Sequence, residues 1–91
     1  MTEETNTDSP LEFPCEFPVK AMGLAASDFD TLVVEIVRRH VADIGEGSVH
    51  ARLSRNGKYV SVTVDIVATS RAQLDAIYQE LGDHERVVMA L

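Results

Sequence analysis

The residues of this chain that could do chemistry are few, and they do not converge on a reaction. The histidines are His40, His50 and His84, and no two of them stand at metal-ligand spacing. Cys15 has no second cysteine for a soft-metal clip or an internal disulfide. No base lies within four residues of Cys15 to lower its pKa, so it reads as an ordinary thiol. His40 continues an apolar helical spacing and reads as a packing residue. Three specific activities can be checked against the stretch Met22-Gly23-Leu24-Ala25-Ala26 and the strands around it. A metallochaperone wants Cys-x-x-Cys there, and an acylphosphatase-like enzyme wants a phosphate-cradling arginine. The stretch has neither, and no base lies between Met22 and Leu32. An RNA-recognition sheet wants two or three stacking aromatics, and Tyr59 stands alone. The expectation is a protein without catalytic residues, metal or cofactor.

Two groups of residues are left as binding candidates. Lys20, Met22, His50, Arg52 and Tyr59 are expected together on one open sheet face, where they would contact a partner protein or a second copy. Gly23, Leu24 and Ser27 form the alternative. A glycine permits close approach, and the start of the next helix offers free N–H groups to a small metabolite, although a tight turn after the strand accounts for Gly23 more simply.

The elements that must position these residues begin with a hairpin, Val49 to Ala68. Asn56-Gly57 suggests a two-residue type I′ turn, with both residues at positive φ. The register then opposes Leu53 to Val60, Arg52 to Ser61, Ala51 to Val62, His50 to Thr63 and Val49 to Val64. Alternation puts Val49, Ala51, Leu53, Val60, Val62, Val64, Ile66 and Ala68 on an apolar face. His50, Arg52, Ser54, Tyr59, Ser61, Thr63 and Asp65 lie on the polar one.

Ahead of the hairpin, Glu16 to Leu24 reads as a strand in which Pro18 needs an unpaired position. Lys20, on its outward face, is expected to pair with Asp65, the alternative being an anion or a partner carboxylate. Ser27 to Val41 reads as a helix with Ser27 as N-cap and a stripe of Phe29, Leu32, Val33, Ile36 and Val37. After the hairpin, Ser70 and Gln73 form a capping-box signature. Leu74, Ile77, Tyr78 and Leu81 make the second stripe, and Gly82 is the expected C′ residue. A last strand is expected over Glu85 to Leu91, with Val87, Met89 and Leu91 on one face. Strand-helix-strand-strand-helix-strand is the split βαβ, ferredoxin-like pattern. It is an α+β two-layer sandwich with both helices on one face of a four-stranded antiparallel sheet of order 4-1-3-2.

Residues 1–10 are expected to form a disordered acidic leader before a single domain over 11–91. The net charge of −7 is concentrated at the front: residues 1–16 carry Glu3, Glu4, Asp8, Glu12 and Glu16 and no base. Such acidity argues against nucleic acid and anionic membranes as partners. One cysteine, no long apolar segment and no secretory leader suggest a cytoplasmic protein.

Several stretches carry a family resemblance. Phe13-Pro14-x-x-Phe17-x-x-Lys20-x-Met22-Gly23, preceded by Leu11-Glu12, resembles the opening of the small bacterial YbeD-like family. Gly57-Lys58-Tyr59-x-Ser61-Val62-Thr63, Ile77-Tyr78-Gln79-Glu80-Leu81-Gly82 and the terminal Val87-Val88-Met89-Ala90-Leu91 agree with it. The likeness spans Leu11 to Leu91, and the leader looks longer than this family usually carries. The resemblance implies a ferredoxin-like sandwich similar to ACT-type regulatory domains. It supplies no established activity, only a link to lipoate metabolism through genomic neighbourhood. Within the opening motif, Phe13 and Phe17 are expected to be buried anchors.

Overall fold

The computed structural model describes residues 11–91, so the expected leader lies outside the described residues. The elements are β1 (Cys15–Leu24), α1 (Phe29–Arg38), β2 (Val49–Leu53), β3 (Tyr59–Ala68), α2 (Arg71–Asp83) and β4 (Met89–Ala90), with a 3-10 turn (Glu46–Ser48) leading into β2. The strands form an antiparallel sheet in the order β2-β3-β1-β4. This is the expected 4-1-3-2 order read from the opposite edge.

Strands β1 and β3 are the spine, paired without interruption from Cys15 opposite Ala68 to Leu24 opposite Tyr59. Alternation sends Val19 and Ala21 of β1, and Val60, Val62, Val64, Ile66 and Ala68 of β3, to one side. There they meet Phe29, Val33, Ile36 and Val37 of α1 and Leu74, Ile77 and Leu81 of α2. Phe13 and Phe17 are half-buried against this core, and Phe17 meets the Tyr78 ring edge to face at 6.4 Å. A one-residue slip of β3 would expose Val60, Val62, Val64 and Ile66 at about 1.5–3 kcal/mol each. That sum rivals the roughly 5 kcal/mol of net stability typical of a chain this small, so the register is strongly specified.

The hairpin keeps the expected register but not the expected turn. Gly57 has φ 77°, whereas among the described residues none other than glycine has positive φ, so Asn56 excludes a type I′ turn. The Gly57 N–H donates to the Ser54 carbonyl, making Arg55 and Asn56 the central residues of a longer loop. Asn56 Oδ1 accepts from Lys58 N–H, and Ser54 Oγ accepts from Tyr59 N–H. These side-chain bonds take over what a tighter turn would give to backbone partners.

Other boundaries also shift. Helix α1 covers Phe29–Arg38 rather than Ser27 to Val41, and Asp28, not Ser27, holds the N-cap position. The Asp28 carboxylate does not cap; it turns to Arg86. In α2 the cap is as expected: Ser70 Oγ accepts from Gln73 N–H at 3.0 Å, and Gln73 Oε1 accepts from Thr69 N–H. Gly82 lies inside the last turn of α2 without positive φ, and His84 is the C-cap.

The last strand is shorter than expected because residues 84–87 curl into a turn. Val87 N–H donates to the His84 carbonyl, and Arg86 N–H to His84 Nδ1. Val87 therefore packs against the core, apart from Met89 and Leu91. Lys20 N–H, pointing towards β4, donates to the Leu91 carbonyl. Pro18, two residues earlier, presents its missing donor to the same side beyond Met89–Ala90, which makes it harmless. On β2, Val49 packs against the core, whereas Ala51 and Leu53 point to the helical side as expected yet stay exposed.

Candidate functional site

The side of the sheet away from the helices is open, and pairing arranges its side chains in two rungs, the first across all four strands and the second across three and the residue after β4. One rung runs Met89, Met22, Ser61, Arg52. The next runs Leu91, Lys20, Thr63, His50, with Leu91 joined to Lys20 by reciprocal backbone hydrogen bonds. Tyr59 follows along β3 opposite Leu24, with Lys58 Nζ 5.5 Å from its ring centroid. The structure thus places Lys20, Met22, His50, Arg52 and Tyr59 on one face.

Met89 and Leu91 line that face as well. Sequence reasoning grouped them with Val87 without assigning their side. The signal lay in the strand order, which puts β4 beside β1 and so brings a second methionine next to Met22.

The expected Lys20–Asp65 pair does not form. Register sets Asp65 opposite Pro18, and its carboxylate lies 3.3 Å from His50 Nε2 on the other neighbouring strand. The depression lined by Lys20, His50, Arg52, Ser61 and Thr63 is open, and Tyr59 does not line it.

Gly23 is neither in a tight turn nor at positive φ; it lies within β1. A Cβ there would fall 2.4 Å from the Arg86 carbonyl oxygen and 2.5 Å from Phe29 Cε1. The close approach that requires a glycine is therefore made by the protein itself. At the start of α1, Phe29 N–H already donates to the Ala26 carbonyl and Thr31 N–H to Asp30 Oδ1. Ser27 is exposed and caps nothing.

The remaining polar clusters tie elements together. Arg86 grips Asp28 with two bonds, of 3.1 and 2.7 Å, while its guanidinium lies 6.0 Å from the Phe29 ring centroid. The hydrogen bonds from Arg86 lower the Asp28 pKa, against an opposing desolvation. Glu80 on α2 receives both Arg39 and His40 from just beyond α1, with His40 Nε2 at 2.8 Å, so His40 is half-buried as expected though outside the helix. The Tyr78 hydroxyl donates to the Leu91 carbonyl, and burial pushes its pKa up. Among the described residues no group of three or more His, Cys, Asp or Glu is placed to hold a metal ion, and no helix is long and apolar enough to cross a membrane.

Two helices on one side of a 2-3-1-4 antiparallel sheet define an α+β, ferredoxin-like protein. The chain is similar to the solution structure of protein HP0495 from H. pylori, with a TM-score of 0.71 over 100% of this chain and 96% of that one; at 16% identity the likeness shows the fold alone. Residues 8–91 match the family described as "Protein of unknown function (DUF493)". The UPF0250 protein of Nitrosomonas europaea is 46% identical over 91 residues, covering 100% of both chains. That of Chromobacterium violaceum is 46% identical over 81 residues, 89% of this chain and 91% of its own. The chain belongs to this DUF493/UPF0250 family of small bacterial proteins. The resemblance read from the opening motif is borne out. The Nitrosomonas relative aligns over residues 1–10 as well.

Proposed function

We propose that this protein is a non-catalytic interaction or regulatory module of the cytoplasm that works through the open face of its sheet. What supports the reading is a face that the helices leave bare. On it Met89 is 48% and Leu91 68% exposed, beside Lys20 and Arg52, whose side chains have no hydrogen-bond or ion-pair partner among the described residues. Tyrosine, methionine and arginine are enriched at protein interfaces. The occupant is a partner protein or a second copy of the chain.

Tyr59→Ala and Arg52→Glu test the reading. Neither residue belongs to the buried core, so both variants should melt close to the parent temperature. Each should weaken the partner or dimer contact by about 1 kcal/mol or more, measured by calorimetry or sedimentation. Binding that survives both changes, with a footprint at Gly23, Leu24 and Ser27, would overturn it.

The alternative is ACT-like metabolite sensing at Gly23, Leu24 and Ser27, tied to lipoate metabolism through the family resemblance. It draws on a groove between residues 24–26 and 85–88. It has less support, because Phe29 and Arg86 fill the space beside Gly23 and Asp28 occupies the Arg86 guanidinium.

A further inference from the structure

The open face does not share the charge of the molecule. The chain has fifteen acids against eight Lys and Arg. On this face the acids stand at one end, Glu16 and Asp65, and Asp65 faces His50. Towards the other end stand Lys20 and Arg52, continued by Arg55 and Lys58 in the hairpin loop. Away from the face, Arg39 and Arg86 are neutralised by Glu80 and Asp28. Lys20 and Arg52 have no ionic partner among the described residues, and they line, with His50, Ser61 and Thr63, an open depression of about 290 Å³. Beside it lies a smaller apolar one that shares Lys20 and Ser61 and is otherwise formed mainly by Met22, Met89 and Leu91.

We infer that the open face docks an acidic segment of a partner protein, in which a carboxylate side chain stands two residues from a large apolar one. The inference rests on the interaction-module reading and names the partner's chemistry. The carboxylate sits between Lys20 and Arg52, where an arginine fork and two hydroxyls can satisfy its oxygens. The apolar side chain covers Met22 and Met89. In an extended segment, side chains two residues apart share a face about 6.6–6.8 Å apart, and the two depressions adjoin through Lys20 and Ser61.

Both depressions are open, whereas small-molecule sites enclose most of their ligand. A nucleic acid would meet one aromatic, Tyr59, and a net charge of −7. A second copy placed face to face by a two-fold axis along the strands would bring like cations together.

The test is an NMR titration of the full ¹⁵N-labelled chain with a synthetic, end-blocked alanine-serine peptide carrying one glutamate and one leucine two positions apart, beside the same peptide with glutamine. Shifts should concentrate at Lys20, Met22, Arg52, Ser61 and Thr63. The glutamate peptide should bind about fivefold or more tightly than the glutamine one, a gap that narrows as salt rises. Lys20→Glu, an exposed change, should erase the gap and leave the spectrum of the core intact. Equal binding of the two peptides overturns the inference, as do shifts away from the face or none at millimolar peptide. A single-stranded RNA oligonucleotide that takes the same face more tightly also overturns it, as does sedimentation showing the face closed in a dimer. If the peptide fails while Tyr59→Ala still weakens a protein contact, the interaction reading stands and only the acidic partner falls.

Discussion

Gly23 shows how much one residue's role depends on neighbours far away in the chain. In the sequence it stands at the end of an alternating strand, a position that suggests a turn or a ligand. The reason found is the edge of the Phe29 ring and the Arg86 carbonyl pressed against its Cα. One is six residues away and the other sixty-three, and no local pattern encodes the second. Gly23→Ala would put a methyl into a backbone oxygen and a fully buried ring. The expected loss of stability is about 1–3 kcal/mol, read from urea unfolding. An unchanged midpoint would mean that the segment after α2 does not pack where the structure puts it. Lys20 is the converse case: its face is legible from alternation alone, but the pairing of Asp65 with His50 instead of with it is not. Choosing between His50 and Lys20 for Asp65 requires the register of three strands at once.

Elements whose character rests on a long repeated pattern were read correctly, and those fixed by their ends were not. The ten-residue strand β3 and the stripe of α2 follow from apolar spacing, and the Ser70 cap from a motif confined to four residues. The beginning of α1 was misplaced because Asp28 spends its carboxylate on Arg86 instead of on a helix amide. Strand β4 was drawn too long because the turn over residues 84–87 depends on a His84 side-chain bond that alternation cannot report. At the hairpin, register was legible and turn geometry was not: loops of two and four residues centred on the same point give identical pairing. Gly57 remains the indispensable residue in either geometry, at φ 77°. Gly57→Val should lower stability by at least about 1 kcal/mol by thermal or urea melting, since a β-branched side chain is strained there. The open space around its Cα leaves backbone conformation as the cause.

At the scale of the molecule, salt bridges join parts that the sheet alone leaves separate. Asp28 and Arg86 lie fifty-eight residues apart and lock the start of α1 to the segment before β4. Because the folded pKa of Asp28 lies below its ordinary 3.8, the pair contributes above that pH and its contribution is lost as pH falls through the lowered value. Asp28→Asn should therefore be less stable than the parent at neutral pH, and the two melting curves should converge in acid; a constant gap would assign the loss to something other than charge. The layered architecture itself was legible because one face of β3 is a run of valines and isoleucine and the other is polar. That alternation also governs how the open face can change. Strands β1 and β3 are joined rung by rung from Cys15 to Leu24 with no bulge to absorb an extra residue. One residue inserted beside Val19 would carry Lys20 and Met22 into the core and turn Ala21 out to solvent. Substitutions can re-tune the face one side chain at a time, but insertions and deletions are confined to the loops, so relatives that diverge in what they bind should do so at constant strand length.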